Sequence, residues 1–343
     1  MNVTLADIFE SDIFKQVSLT KAVDETPHVP SFVRDLGIFE SNGISTRTAV
    51  IERYRDALSL IPIRRTLGES VAASSSKRSA QSFIVPSVGP YVDRITVDDL
   101  VGVRQFGGEV SATAEYVLDR KIKKMLRHHD LTEEYMLVGA LKGLIVDHEG
   151  AVIYDLFSSF GLTRPTDIDF ALGSSTTDVT ELCSRVIDTI EDALRGDGFT
   201  GVIGLAGREI FKKLVKNKSV KETYLNWEAS SVFREDQRLS TRAFPFAGIN
   251  FFQYRGTYRR GSSSASFIAD NEILFLPVGV EDMYQINYAP SDKIDDAGLP
   301  GKPRYISRAI DSKYGKYIEI ETQSHPLPIV TRPNALIRGF SSN

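Results

Sequence analysis

Cysteine is almost missing from these 343 residues: Cys183 is the only one, so no internal disulfide framework can form and a reducing compartment suits the chain. No run approaches the ~18 consecutive apolar residues of a membrane span. A basic excess is lacking too, with 41 Lys and Arg against 45 Asp and Glu for a net charge of -4. That balance argues against a dedicated nucleic-acid binder. The opening MNVTLADIFESDIF is acidic where a secretory leader is cationic, so no signal peptide is expected. These absences lead to the expectation of a soluble protein made in the cytoplasm, with no membrane partner.

What is present is ordinary in amount: 42% hydrophobic and 25% charged residues, in a chain long enough for two or three domains. The stretch Ser111–Val146 organises it. Proline is absent there, glycine occurs only at 139 and 143, and apolar residues recur at three- and four-residue steps: Leu118, Ile122, Met125, Leu131, Tyr135, Val138, Leu141 and Ile145. This spacing predicts a helix with one buried stripe. Asp130 and Glu133 form a capping-box-like pair that could restart a helix inside the run, so one kinked rod and two successive helices are both open. The cations Arg120, Lys121, Lys123, Lys124 and Arg127 crowd its first half.

Ahead of this helix, residues 1–44 hold short apolar clusters that do not amount to a core, and read either as a partly ordered tail or as an arm lying across neighbours. From Thr46, TRTAVIERYRDALSLIPIRR has β character. The serine-rich tract LGESVAASSSKRSAQ follows, then the short strand SFIVPSVG. Strand-like arms flanking a long flexible tip describe an extended hairpin too thin to fold alone. Behind the helix, GLIVDHEGAVIYDLF reads as two strands around Asp147-His148-Glu149-Gly150, and TDIDFAL as a third. Gly173 to Thr177 is a polar linker and a domain boundary.

The second half opens on a helix capped by Asp178 and stopped by RGDG. A strand FTGVIGLAG and the helices REIFKKLVKN and VKETYLNWEA come next. AFPFAGINFFQYRG is the strongest strand candidate, and SASFIADNEILFLPVGV gives two strands around Asp270-Asn271. Residues 289–304 form a Pro/Gly/Asp loop. The closing strands carry Pro326, Pro328 and Pro333, which confine them to an edge or to bulges. The chain reads as α+β.

No catalytic constellation emerges. Gly201, Gly204 and Gly207 are spaced GxxGxxG rather than GxGxxG, and no P-loop lysine follows, so a tight strand-to-helix turn is preferred over nucleotide binding. His128 and His129 are adjacent, and neighbours on a helix do not face each other. Together with Asp130 and His148 they could be proposed as metal ligands, but histidines acting as helix-end cations are preferred. Asp167 and Asp169 alternate on a strand and share a face, but lack a nearby lysine or third acid, so solvated or interface acids are preferred. Cys183 lacks a sequence-adjacent base among His28, His128, His129, His148 and His325, and reads as a core residue. The cation pairs Arg64-Arg65, Lys77-Arg78 and Arg259-Arg260 are too small for a nucleic-acid groove and suit subunit contacts or weak phosphate contacts. No catalytic, cofactor or metal residue is assigned, and the chain is not read as an enzyme.

The spine run DRKIKKMLRHHDLTEEYMLVGALKG, the strand AGINFFQYRGTY, the hairpin SFIADNEILFLP and the closing ETQSHPLPIVTRPNALIRG occur in an order that resembles the HK97-type phage capsid fold. More narrowly the chain is similar to the lambda-like phage major capsid protein E family. The resemblance implies an N-terminal arm (1–44) and an extended β-hairpin loop (45–89). It also implies a peripheral domain with the spine helix (90–173, completed by 313–343) and an axial domain (174–312). It further implies a virion subunit of a tailed double-stranded DNA bacteriophage or prophage. Copies would form the hexamers and pentamers of an icosahedral head enclosing DNA, contacted weakly and without sequence specificity. Scaffold or protease, portal and decoration proteins are the partners it implies. An encapsulin-like compartment shell subunit is the alternative.

Overall fold

The computed structural model describes residues 32–55, 77–99, 114–174, 177–221, 243–260, 263–311 and 314–342. The short helix α1 (Phe32–Asp35) comes first, then β1 (Glu40–Gly43), β2 (Thr48–Arg55), β3 (Lys77–Ile84) and β4 (Val88–Thr96). The long helix α2 (Ala114–Leu141) leads to β5 (Leu144–Val146), β6 (Val152–Asp155), α3 (Leu156–Ser159) and β7 (Ile168–Asp169). Then come α4 (Val179–Leu194), β8 (Gly201–Ala206), α5 (Arg208–Lys216), β9 (Ala243–Phe246), β10 (Ile249–Gln253), β11 (Thr257–Arg260) and β12 (Ser263–Ser266). Six strands finish the chain: β13 (Glu272–Val278), β14 (Tyr284–Tyr288), β15 (Tyr305–Ile310), β16 (Tyr317–Ser324), β17 (Pro326–Val330) and β18 (Ile337–Phe340).

The predicted spine is one uninterrupted helix of 28 residues, about 42 Å long. No second helix starts at Asp130, because its carboxylate and that of Glu133 are drawn away into ion pairs with Arg304. The helix also stops five residues earlier than the periodicity suggests. Gly143 takes a left-handed φ of +76° directly beside the Phe157 ring, where a Cβ would sit 2.2 Å from a ring carbon, so only glycine turns the chain there. Ile145 keeps its buried place, but on β5. Leu131 leaves the stripe: it is 42% exposed. The expected hairpin follows as β5 and β6, with the Asp147 carboxylate accepting from the Glu149 and Ala151 amides at the turn.

Three larger sheets surround the helix. The first half of α2 lies on the sheet ordered β15-β16-β4, where Val117, Leu118, Ile122, Met125 and Leu126 meet Ile95, Ile306 and Ile320 in a small separate core. The second half enters the main core, with Leu137, Val138 and Leu141 among the residues of a six-stranded sheet ordered β7-β18-β13-β8-β10-β9. A third sheet, β1-β14-β17, packs nearby. The hairpins β2–β3, β5–β6 and β11–β12 each stand as two strands.

Several elements differ from the sequence reading. The aromatic stretch 243–256 is a hairpin rather than one strand, turned at Ala247 and Gly248, both at positive φ. Strands β12 and β13 flank the Asp270-Asn271 turn without pairing; β12 joins β11, and β13 joins β8 and β18. Strand β3 begins at Lys77, inside the serine-rich tract expected to be flexible. Of the closing strands only β17, which holds Pro326 and Pro328, lies on an edge, and Pro333 starts a 3-10 turn. Both β16 and β18 are interior. Strand β18 joins the six-stranded sheet, so the closing segment does not wholly complete the helix-centred unit, while β15 pairs into that unit's sheet. The end of the proposed arm belongs to the body: Val33 is fully buried and β1 pairs parallel with β14. Residues 1–31, residues 56–76 of the expected extended loop, residues 100–113 and residues 222–229 of the helix expected at 220–229 lie outside the described residues.

Leu141→Asp places an unpaired charge at a fully buried position where α2 meets the main core. We expect a loss of at least about 4 kcal/mol, enough to unfold a marginal domain. Circular dichroism and sedimentation of the purified variant would check this; a soluble, folded monomer would overturn the stripe assignment.

Candidate assembly interface

The β2–β3 hairpin is the element most open to a neighbour. Its register places Ala49 opposite Phe83, and this face is buried at the base. Phe83 meets Tyr154 edge-on at 5.3 Å and Phe160 at 5.6 Å, and the Tyr154 hydroxyl accepts from the Ile84 amide. Strict alternation then turns Val50 and Ile84 outward, 56% and 67% exposed. Arg47, at the foot of the hairpin, donates to the Ser291 carbonyl and pairs with Asp292. The hairpin is therefore packed at its root, and its outward face sets Val50 and Ile84 among Thr48, Glu52 and Ser82. Within the loop that Arg47 holds, Ile294 is also almost fully exposed.

Behind this surface a layer of charge is buried at the middle of α2. Arg304, 1% exposed, donates to Asp130 at 2.6 Å and lies 2.6 Å from Glu133. Arg34 of α1 pairs with the same two carboxylates. The Tyr288 hydroxyl donates to Glu133 at 2.8 Å, while Glu134 accepts from the Tyr254 hydroxyl at 2.8 Å and the Val33 amide at 3.1 Å. Burial, with the Glu134 carboxylate alongside, raises the Tyr254 hydroxyl above its ordinary pKa. His129 completes the layer, its Nε2 2.9 Å from the Thr322 hydroxyl. Burial and the Arg304 charge push its pKa down to about 4. His129 is thus a neutral core residue in mid-helix, not the helix-end cation expected. His128 is exposed and meets the Tyr91 ring at 5.4 Å. His148 lies far along the chain on an exposed turn beside Glu149.

The remaining candidates fall into structural roles. Asp167 pairs with Arg338 at 2.6 Å, and Arg338 also holds Glu272 at 2.7 Å. A lysine and a third acid do approach in space, since Lys142 lies 3.0 Å from Glu272 and all four residues line a cleft of about 180 Å³. Burial opposes ionisation of Glu272, but the pairs with Lys142 and Arg338 outweigh it and hold its carboxyl below the usual range. Asp169 instead accepts from the Ala171 and Ser342 amides. Among the described residues no cluster of three His, Cys, Asp or Glu side chains could hold a metal ion.

The glycine turn is closed to phosphate. A Cβ at Gly207 would lie 2.1 Å from the Ala269 carbonyl, so the strand-to-helix turn is pressed against the 269–270 backbone. The Asp270 carbonyl accepts from the Glu209 and Ile210 amides at 3.0 and 2.9 Å, taking up donors of the first turn of α5. Cys183 is fully buried on α4, and burial together with Asp178 pushes its thiol up to about 12. Arg260 donates to Tyr135 at 3.0 Å; Arg64 and Arg65 lie outside the described residues. No helix among the described residues is long and apolar enough to cross a membrane.

An extended hairpin, a helix backed by a three-stranded sheet and a six-stranded α/β layer together define a shell-forming subunit of the HK97-like capsid class. The mature capsid subunit of bacteriophage PhiM1 has the same fold, with a TM-score of 0.52 at 15% identity over 93% of this chain and 89% of that one. The major capsid protein of Pseudomonas phage KPP10 is 26% identical, over 95% of this chain and 96% of its own length. That of Salmonella phage Felix O1 is 24% identical, over 96% of each. The phage major capsid protein E family matches residues 15–341, so the chain belongs to that family and is the major capsid protein of a tailed phage or prophage.

Arg304→Met leaves Asp130 and Glu133 buried without their central cation. We expect it to destabilise the fold by about 3–5 kcal/mol, read from urea unfolding. His129 supplies a separate pH dependence. Its folded pKa of about 4 lies below the unfolded value of ~6.5, so the unfolded chain binds more protons in that window. Stability should therefore fall by about 3 kcal/mol from this residue as pH drops from 6.5 to 4. His129→Gln should remove that component from the pH profile, and an unchanged slope would contradict the assignment.

Proposed function

We propose that copies of this chain, made in the host cytoplasm, assemble as the hexamers and pentamers of an icosahedral virion head that encloses double-stranded DNA. The observation that carries this reading is the β2–β3 hairpin, whose strands pair with no third strand among the described residues and whose outward face shows Val50 and Ile84. A two-stranded hairpin is marginal in water. It gains stability when another subunit buries its face, by the same linkage through which any partner of the folded state stabilises it. Rings form when such head-to-tail contacts close.

In this reading residues 1–44 are an arm that ends anchored on α2, and 45–89 the loop laid over a neighbour. The peripheral unit is α2 with the sheet β15-β16-β4. The axial unit is the six-stranded sheet, which takes β7 and β18 with it. This moves part of 90–173 and of 313–343 into the axial unit and returns β15 to the peripheral one. A scaffold or protease, a portal and a decoration protein are the expected partners. DNA is contacted without sequence specificity, and the chain works by geometry with no cofactor and no catalytic role. Relatives that are phage major capsid proteins favour this over an encapsulin-like compartment.

Negative-stain microscopy of the purified protein, followed by nuclease treatment and extraction of the shells, tests both parts. Shells holding protected DNA support the proposal. Empty shells point to a compartment, and small discrete oligomers refute assembly. Hydrogen exchange gives a finer measure: residues 66–82, of which 77–82 lie on β3, should exchange rapidly in the free subunit and become protected in the shell. Equal protection in both states would refute the loop's role.

A further inference from the structure

The five cations in the first half of α2 are not equivalent. Lys121 turns toward the sheet, where it pairs with Asp99 at 3.1 Å and Asp93 at 3.5 Å and donates to the Arg94 carbonyl. Lys123 is matched by Asp119 one turn earlier, at 2.7 Å. Arg120, Lys124 and Arg127 are exposed, and their side chains have no ion-pair partner among the described residues. They stand at i, i+4 and i+7, on the side of the helix opposite the small core that packs on β15-β16-β4.

This part of the molecule is two layers thick, and the layers differ in charge. On β16, Ile318 and Ile320 point to the helix, so alternation turns Glu319 and Glu321 to the other side of the sheet. Arg94 answers Glu319 at 2.7 Å. One surface is thus a row of unmatched cations and the other carries carboxylates. The second basic region of the chain, 208–221, has six Lys and Arg against one acid. There Lys212 pairs with Glu209 at 2.8 Å.

We propose that Arg120, Lys124 and Arg127 form the surface that meets the phosphate backbone of packaged double-stranded DNA, so that this side of α2 faces the shell interior. The inference rests on the DNA-enclosing shell proposed above. From Arg120 to Arg127 the row is about 10 Å long at ~1.5 Å per residue, facing roughly six phosphates at ~1.7 Å of axis per charge. Long cationic side chains in a line suit backbone contact, which positions a duplex without reading its sequence. In a chain of net charge -4, most of the surface repels DNA and a local row decides which side meets it.

The test uses the full-length protein below its assembly concentration and a labelled 20-bp duplex of mixed sequence, followed by fluorescence anisotropy between about 50 and 200 mM salt. Three phosphate contacts give a log-log salt slope of roughly -2.7. Over that range the wild-type protein should therefore lose up to about 40-fold more DNA affinity than R120Q/K124Q/R127Q. The charge-preserving R120K/R127K should keep the slope. Should the triple variant misfold, each single glutamine substitution should remove about one third of it. Equal affinity and slope in the wild-type and triple variants would overturn the proposal, as would loss of binding in K212Q/K216Q/K218Q instead. Tighter binding of poly-glutamate than of the duplex, lost in the same triple variant, would reassign the row to an acidic protein segment. Negative-stain images of the same proteins raised above their assembly concentration separate the two levels. Shells with unaltered DNA binding in the variant defeat only this inference, whereas a wild-type protein that forms no shells defeats the reading beneath it.

Discussion

The contact between Arg304 and the carboxylates of Asp130 and Glu133 is the constraint around which the remainder is arranged. A guanidinium with 1% exposure cannot stay in a low-dielectric interior without such partners. Those partners lie on a helix far away in sequence. The layer is assembled as α1 brings Arg34, β14 brings Tyr288, and the residue after β10, Tyr254, comes to the same place. Its contribution is geometric more than energetic, because desolvation offsets much of the attraction. Few other registers of these elements would bring two arginines to Asp130 and Glu133 and the Tyr254 hydroxyl to Glu134.

That constraint lies where the two halves of the spine helix change partners. N-terminal to it, α2 packs on a single three-stranded sheet through a small core; C-terminal to it, the helix enters the large core shared with the six-stranded sheet. The charged layer thus holds one straight rod across two differently built regions. Phe83, packed against Tyr154 and Phe160, ties the face of the β2–β3 hairpin to the body of the subunit.

The residues that looked closest to chemistry are consumed by this architecture. Gly207 serves a close backbone approach, Cys183 fills the core under α4, and Asp167 is tied to Arg338. His129 is held neutral by burial and by Arg304. Each role is one of packing or pairing, and in the cleft that Asp167 shares with Lys142, Glu272 and Arg338 the charges are taken up by ion pairs with one another. Side chains that a sequence presents as candidates were recruited to position strands and helices, in keeping with a protein that belongs to a structural capsid family.

Much of the local order could be read from the chain itself. The three-to-four spacing made α2 legible, Asp178 and the RGDG stop marked α4, and Asp147 with Gly150 announced the β5–β6 turn, because each signal acts within a few residues. Strand partnership could not be read in this way. Nothing near 337–340 indicates that this strand enters the six-stranded sheet, and Ala247-Gly248 breaks an aromatic run only because Phe244 and Phe251 can stack when the chain folds back. The fate of Asp130 and Glu133 shows the same limit. Their spacing is that of a helix start, yet Arg304, 174 residues from Asp130, claims the carboxylate and the helix continues. Periodicity and turn chemistry determined which segments would be helix or strand. Tertiary structure decided which charges are buried and which strands adjoin, because ion pairing and sheet pairing depend on distance in space and not on separation along the chain.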